Sequence, residues 1–413
     1  MLTTKQINEI INVKESYQAS DKLATLLLDT DLREKLFNEF LKEESDLSFD
    51  WFTDYFQEEH SDRKGKKQDF TPKAVAQLTS NLLGQSQTSA DLCAGTGGLT
   101  IQRWNNSPDS AFYCEEFSDR AFPFLLFNLS IRNMNATVVH GNTLTREVTA
   151  VYKLTKTETF SKIEKGSIVD NAVFNTLIMN PPYSLPWDAD KSLLEDLRFK
   201  EYKALAPKSK ADYAFIQTGI SMLDENGTMA VILPHGVLFR GASEGKIRKH
   251  LLENNLIHAI IGLPEKVFFG TDIPTCIMII KKNRSQKDIL FIDAKDEYEK
   301  GKTYNIIKEE NINKILDTYN ARKTVDKFSN VVKFDEIKEN DYNLNIPRYV
   351  DTFEEEEPIS LCEVVSELEK VDAELNELNK SLFSAISELR ASTDENEQEL
   401  ASVIRYFSNQ IGE

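Results

Sequence analysis

The chain has 413 residues, 40% of them hydrophobic and 28% charged, a globular balance with room for two or three domains. No apolar stretch approaches the ~20 residues that span a bilayer, and the opening MLTTKQINEI lacks the basic start and apolar run of a signal peptide. The net charge of −18 is uneven: residues 351–413 carry seventeen acidic and four basic side chains, net −13, leaving about −5 for the rest. Unaided gripping of nucleic acid usually needs a basic surface, so a local basic face or a partner has to supply any such grip.

Residues 1 to about 60 read as helical, with Ile7, Ile10, Ile11, Leu23, Leu26, Leu27 and Leu36 at helical spacing. The polar, basic stretch Ser61-Asp62-Arg63-Lys64-Gly65-Lys66-Lys67 then reads as a linker. From Gln68 to about Lys282 short apolar runs alternate with helical patterns. The predicted strands are Thr88–Leu92, Ala111–Tyr113, Thr137–Val139, Thr176–Met179, Thr228–Leu233, Ala259–Gly262 and Cys276–Ile280. This alternation predicts a mostly parallel sheet covered on both faces. The polar segment from Ser184 to Lys210 offers no strand and reads as an active-site insertion. Further on, Phe291–Asp293 reads as a strand and Ile306–Tyr319 as a helix, while residues 321–348 give no clear pattern.

Glu354-Glu355-Glu356-Glu357 and Pro358 end the core. Leu361, Leu368, Leu375, Leu382 and Leu389 then recur every seven residues, with Val364, Val371, Leu378 and Ala385 between them. That is a coiled-coil seam, and so polar a helix needs a partner surface. Another chain is the expected partner; folding back on its own domain is the alternative. The implied organisation is an N-terminal helical segment (1–67), a catalytic domain (68–350) and an acidic docking tail (351–413). The cysteines Cys93, Cys114, Cys276 and Cys362 show no CxxC pairing, which argues against structural zinc or a disulfide framework and suits the cytoplasm.

Three constellations carry chemistry. Asp91-Leu92-Cys93-Ala94-Gly95-Thr96-Gly97-Gly98 joins a predicted strand to a predicted helix, and its glycines let backbone approach a ligand closely. The dinucleotide and P-loop spacings are both absent. An opening Asp disfavours phosphate and suits a cationic ligand such as the sulfonium or amino end of S-adenosylmethionine. Next, Phe112-Tyr113-Cys114-Glu115-Glu116 ends the second strand, where an acid accepts bonds from ribose hydroxyls; either Glu can serve. Finally, Asn180-Pro181-Pro182-Tyr183 follows the run Thr176-Leu177-Ile178-Met179 at the ligand-binding edge of such a sheet. Its amide, its carbonyl and its ring together suit a planar amine: two acceptors for the amine hydrogens and a face to stack on.

The order Gln68-Asp69-Phe70-Thr71-Pro72, then 91–98, 113–116 and 180–183, resembles the gamma-class DNA adenine methyltransferases. Leu233-Pro234-His235-Gly236-Val237-Leu238-Phe239-Arg240-Gly241, Gly262-Leu263-Pro264-Glu265 and Phe269-Gly270-Thr271-Asp272-Ile273-Pro274 narrow the resemblance to modification subunits of type I restriction–modification systems. It implies a Rossmann-like S-adenosylmethionine-dependent sheet and transfer of a methyl group to N6 of a flipped-out adenine in double-stranded DNA. It also implies assembly with a specificity subunit and a second modification subunit, and where cleavage occurs, a restriction subunit. By the same resemblance Gln68, Asp69, Phe70, Thr71, Pro72 and Lys73 wrap the methionine end of the cofactor. Asp91, Cys93, Ala94, Gly95 and Gly97 form its loop, and Glu116 holds the ribose. Asn142 lies near the cofactor adenine, at a position the family often fills with Asp. Asn180, Pro181, Pro182 and Tyr183 bind the target base, and Phe269 takes the place of an aromatic near that base or is an ordinary core residue. The helical segment before Gln68 is short for such subunits, so a solitary or phage-encoded DNA adenine methyltransferase is the alternative. Amine methylation of cytosine, a protein glutamine or an RNA base is another reading, against which the long type I-like runs argue; a catalytically silent assembly or cofactor-sensing subunit is a further one, against which the intact Asn180–Tyr183 turn and glycine loop argue.

Overall fold

The computed structural model describes residues 2–59, 71–169, 171–268, 272–353 and 360–411. The basic stretch 61–67, residues Gln68, Asp69 and Phe70, Phe269 and the acidic run 354–357 with Pro358 lie outside them. In chain order the helices are α1 (Thr4–Ile11), α2 (Ala19–Leu28), α3 (Thr30–Glu43), α4 (Thr53–Glu59), α5 (Lys73–Leu82), α6 (Gly98–Asn106), α7 (Phe122–Ile131), α8 (Asp212–Ser221), α9 (Ala242–Glu253), α10 (Glu309–Ala321), α11 (Phe334–Glu339), α12 (Leu361–Ser387) and α13 (Asp394–Ile411). The strands are β1 (Thr88–Asp91), β2 (Ala111–Glu116), β3 (Asn135–Gly141), β4 (Val148–Thr155), β5 (Lys162–Lys165), β6 (Phe174–Met179), β7 (Leu223–Pro234), β8 (Ile257–Gly262), β9 (Thr275–Lys281), β10 (Asp288–Asp293), β11 (Glu299–Lys300), β12 (Asn305–Ile306) and β13 (Ser329–Lys333).

Eleven strands form one sheet in the order β13-β10-β8-β9-β7-β6-β1-β2-β3-β4-β5, and β11 and β12 pair separately. The centre, β3-β2-β1-β6-β7, is parallel throughout. β6 and β7 carry apolar runs through Leu177–Met179 and Met229–Leu233 because both faces are covered, whereas the buried β1 reads Thr88-Ser89-Ala90-Asp91. β9 enters antiparallel between β7 and β8, β10 follows β8 in parallel, and β4 and β13 run antiparallel at the flanks. The order reverses between β1 and β6, so the turns after β1, β2, β3 and β6 open on one carboxyl edge. The unassigned stretch 321–348 contains β13, α11 and a 3₁₀ turn.

The chain divides into two compact units, Met1–Thr352 and Phe353–Glu413. Within the first, the N-terminal helices share a core with α7 and β2: Phe52 meets Phe124 edge-on at 4.7 Å, and Phe40 meets Phe127 at 4.8 Å. Such edge-to-face pairs add to the apolar area they bury. Truncating Phe127 there costs about 3–5 kcal/mol. The same core holds the loop before α4 against the start of α6, which positions part of the site. In the second unit α12 ends at Ser387, so Leu389 lies past its last turn, and a second helix, α13, follows. None of α12's side chains is buried. Among the described residues no helix is long and apolar enough to cross a membrane.

Candidate functional site

The loop after β1 is shaped from within. Asp91 is buried, with Oδ2 accepting from the Thr100 hydroxyl at 2.9 Å and Oδ1 from the Cys93 N–H at 3.3 Å. Burial raises its carboxyl to about 7. Gly95 and Gly97 have φ of 57° and 101°, the left-handed region, and Gly97 caps α6. The Gly95 N–H donates to Glu116 Oε2 at 2.7 Å, tying the loop to the end of β2. A second tie comes from Asp50, ahead of α4. Its Oδ1 accepts from Asn128 Nδ2 at 2.8 Å and from the Phe52 N–H at 2.9 Å, while Oδ2 accepts from Thr53 at 3.0 Å and from the Thr96 hydroxyl.

The two acids at the end of β2 part company because successive strand residues face opposite ways. Glu115 is committed to structure: Arg146 reaches both its oxygens at 2.8 and 3.0 Å, and Tyr113 and Thr143 donate to it at 2.7 and 2.6 Å. Glu116 faces the cavity, its Oε1 accepting the Ser118 N–H at 2.7 Å. Burial pushes its carboxyl up, against the opposing pull of these backbone donors. After β3, Asn142 Oδ1 accepts from Leu144 and Thr145 N–H at 2.9 and 3.2 Å, so its side chain closes a turn.

Asn180 follows β6 directly. Its Nδ2 donates to Thr71 Oγ1 at 2.9 Å, which fixes the amide with its nitrogen toward Thr71. Tyr183 stands edge-on to Phe268, centroids 6.1 Å apart at 85°. Beyond it the polar segment folds without strands, through two 3₁₀ turns at Lys191–Glu195 and Lys200–Tyr202. Trp187 Nε1 donates to the Pro207 carbonyl at 3.0 Å, and Arg198 donates to the Leu144 carbonyl at 2.8 Å. Leu185, Trp187, Asp188 and Leu193 thereby wall the cavity opposite the glycine loop.

One cavity of about 980 Å³ joins these parts, near the upper end for small-molecule sites. Thr71, Cys93, Ala94, Gly95, Glu116, Asn142, Asn180, Pro181, Pro182 and Tyr183 line it together. Asp91 and Gly97 are not among its lining; they shape the loop from behind. Pro72 and Lys73 line a neighbouring cavity of about 450 Å³, where the Lys73 amine lies 5.0 Å above the Phe49 ring. Gln68, Asp69, Phe70 and Phe269 fall outside the described residues. Asp50 lines both cavities, and no motif reading of the sequence had singled it out. Its only local signal is an Asx-type turn, Asp50 accepting the N–H two residues on at Phe52.

Residues 46–358 match the family model described as N-6 DNA Methylase. The chain belongs to that family. This methylase is 29% identical over 392 residues to the methylase subunit of the type I restriction enzyme MpnII of Mycoplasma pneumoniae, covering 91% of this chain and 69% of the relative. Against the MjaVII methylase subunit of Methanocaldococcus jannaschii it is 30% identical over 409 residues, covering 90% and 67%. Among solved structures, the type I restriction-modification methyltransferase subunit of Streptococcus thermophilus is 35% identical, with a TM-score of 0.64 over 81% of this chain and 67% of that one. Within the N-6 methylases the chain is thus a type I methylase subunit by family, and the family is one of adenine-specific DNA methyltransferases.

Proposed function

We propose that this methylase transfers a methyl group from S-adenosylmethionine to the N6 amine of a flipped-out adenine in double-stranded DNA, in the cytoplasm, as the modification subunit of a type I complex. One observation carries the reading: Glu116, the Cys93–Gly95 loop and Asn180–Tyr183 line a single cavity. The residues present fit the cofactor. Glu116 is a buried carboxylate facing open space, so hydroxyl donors of a ribose relieve its desolvation. Cys93, Ala94 and Gly95 offer backbone for close approach, Asn142 lines the same cavity, and Thr71 would hold the methionine end. S-adenosylmethionine supplies an electrophilic methyl group on a sulfonium.

The remaining chemistry belongs to the chain. An adenine amine is a weak nucleophile because its lone pair is delocalised into the ring. The Asn180 Oδ1 and the Pro181 carbonyl accept its two hydrogens and favour a tetrahedral nitrogen whose lone pair is free to attack. With its nitrogen engaged by Thr71, the Asn180 amide is already in the accepting orientation. Tyr183 stacks on the extruded base in place of its lost neighbours. The proton lost after transfer passes to water, so placement and fixed acceptors supply the rate rather than a strong base.

Site choice falls to a partner. The net charge of −18 leaves no overall basic excess for unaided DNA binding. On α12, Leu368, Val371, Leu375 and Leu378 keep a continuous exposed apolar seam, a surface suited to helices of a specificity subunit and a second modification subunit. Methylation-sensitive sequencing of DNA from cells expressing the chain alone and beside a specificity subunit tests this. N6-methyladenine at one motif only with the partner is expected; the same motif methylated by the chain alone would mark a solitary enzyme.

A further inference from the structure

The run Leu233–Gly241 has no part in the chemistry above, yet it ends beside the Asn180–Tyr183 turn. β7, which carries its first residues, is the sheet neighbour of β6, and the chain leaves β7 in a 3₁₀ turn at His235–Leu238. That turn returns Arg240 toward α8, whose first residue is Asp212. Asp212 is fully buried. Its Oδ2 accepts from both terminal nitrogens of Arg240, each at 3.2 Å, and its Oδ1 accepts the Ser184 N–H at 2.9 Å. Ser184 directly follows Tyr183 and has φ of 51°, a left-handed conformation that a residue with a side chain holds only under constraint.

The local sequence is arranged to seat the guanidinium. A Cβ at Gly236 would lie 2.5 Å from the Arg240 Nε, so a side chain there requires the guanidinium to shift. The Arg240 N–H closes onto the Gly236 carbonyl at 3.0 Å, and Arg248 holds the Arg240 carbonyl at 2.8 Å. Glu244 pairs with Arg240 at 3.2 Å, so one cation serves two buried carboxylates.

We propose that Arg240 is a positioning residue for the target-base turn: by neutralising buried Asp212 it keeps the carboxylate that grips the Ser184 N–H, and so fixes Tyr183 and the Pro181 carbonyl. The inference rests on the adenine-methylation reading for its kinetic part only. An unpaired carboxylate in that position takes water or a proton and releases the amide. A neutral amide in place of Asp212 still accepts the Ser184 N–H and needs no counter-charge. The Arg240–Asp212 requirement is therefore one of charge matching, which separates it from simple packing.

The test uses the full chain in the complex in which methylation is measured, with R240A and the R240A/D212N double variant. For R240A the expected result is a fall of at least tenfold in kcat, cofactor affinity within twofold, and faster hydrogen exchange in the peptide covering 183–187 but not in that covering 92–98. The double variant should be more active and slower to exchange than R240A, and adding E244Q, which removes the other carboxylate paired with Arg240, should recover the rest. Unchanged kcat and exchange in R240A would overturn the inference. So would a raised KM for DNA with kcat intact, which makes Arg240 a direct nucleic-acid contact, or a double variant no better than the single one. If R240A fails to fold, the double variant and R240K carry the same comparison. If the unaltered protein methylates no adenine, the functional reading fails, and the exchange measurement still decides the role of Arg240.

Discussion

Asp91→Asn should remove one pH-dependent contribution to stability. Burial raises the Asp91 carboxyl from 3.8 to about 7. The folded chain therefore binds this proton more tightly than the unfolded chain, and the contribution of Asp91 to stability falls as pH rises between those values. Each pH unit in that window is worth up to about 1.4 kcal/mol. Between pH 5 and pH 8 only the part below 7 counts, so the unaltered chain loses roughly 2–3 kcal/mol there from this group. Asparagine can still accept the Cys93 N–H through its Oδ1, its Nδ2 can donate to the Thr100 hydroxyl, and it carries no titrating charge. Urea unfolding followed by tryptophan fluorescence reads the effect, because Trp51, Trp104 and Trp187 all lie in the first compact unit. The variant should gain on the unaltered chain by that amount at pH 8 relative to pH 5. A stability difference independent of pH would refute the argument that Asp91 is a desolvated brace.

Glu116→Ala removes the carboxylate proposed to hold the ribose hydroxyls; charged hydrogen bonds of this kind are worth about 1.5–3 kcal/mol, so calorimetry should show S-adenosylmethionine affinity falling roughly ten- to a hundredfold. Glu115→Ala should instead lower the melting temperature, since it strands Arg146 and Tyr113. Thr71→Val removes the acceptor that orients the Asn180 amide, and kcat should drop on the order of tenfold, with Thr71→Ser retaining most of the rate. Leu375→Asp on α12 should abolish co-purification with a specificity subunit while leaving the melting of the isolated chain unchanged, because the side chain is exposed.

The parallel centre of the sheet was legible from short apolar or β-branched stretches set off by turn residues, clearest in β6 and β7, which are covered on both faces. β1, β2, β3, β6 and β7 all stand where such stretches predict them, though polar Asp224, Glu225 and Asn226 hid the true start of β7 at Leu223. β4 and β5 were illegible for the opposite reason. They form an exposed antiparallel edge, and Lys153, Lys162, Glu164 and Lys165 break any apolar pattern there. The antiparallel entry of β9 between β7 and β8 is a matter of long-range pairing that no local pattern encodes. In the site, chemistry-bearing turns were readable because their residue types are unusual for plain structure. Residue types alone left Glu115 and Glu116 open and the resemblance named Glu116; strand alternation turns Glu116 to the cavity and Glu115 to Arg146. The roles of Asp50 and Asp212 needed the fold, since each acts on a segment far from it in sequence: Asn128 for one, Ser184 for the other. The seam on α12 followed from periodicity alone, while the break after Ser387 did not, because Leu389 continues the spacing past the end of the helix.

The most direct test of the account is methyl transfer to duplex DNA by the assembled complex carrying Asn180→Ala, with S-adenosylmethionine binding measured on the same preparation. Removing the acceptor for the adenine amine should cut the rate on the order of a hundredfold or more, while cofactor affinity changes only a few-fold. N6-methyladenine formed at an undiminished rate would contradict the assignment of the Asn180–Tyr183 turn.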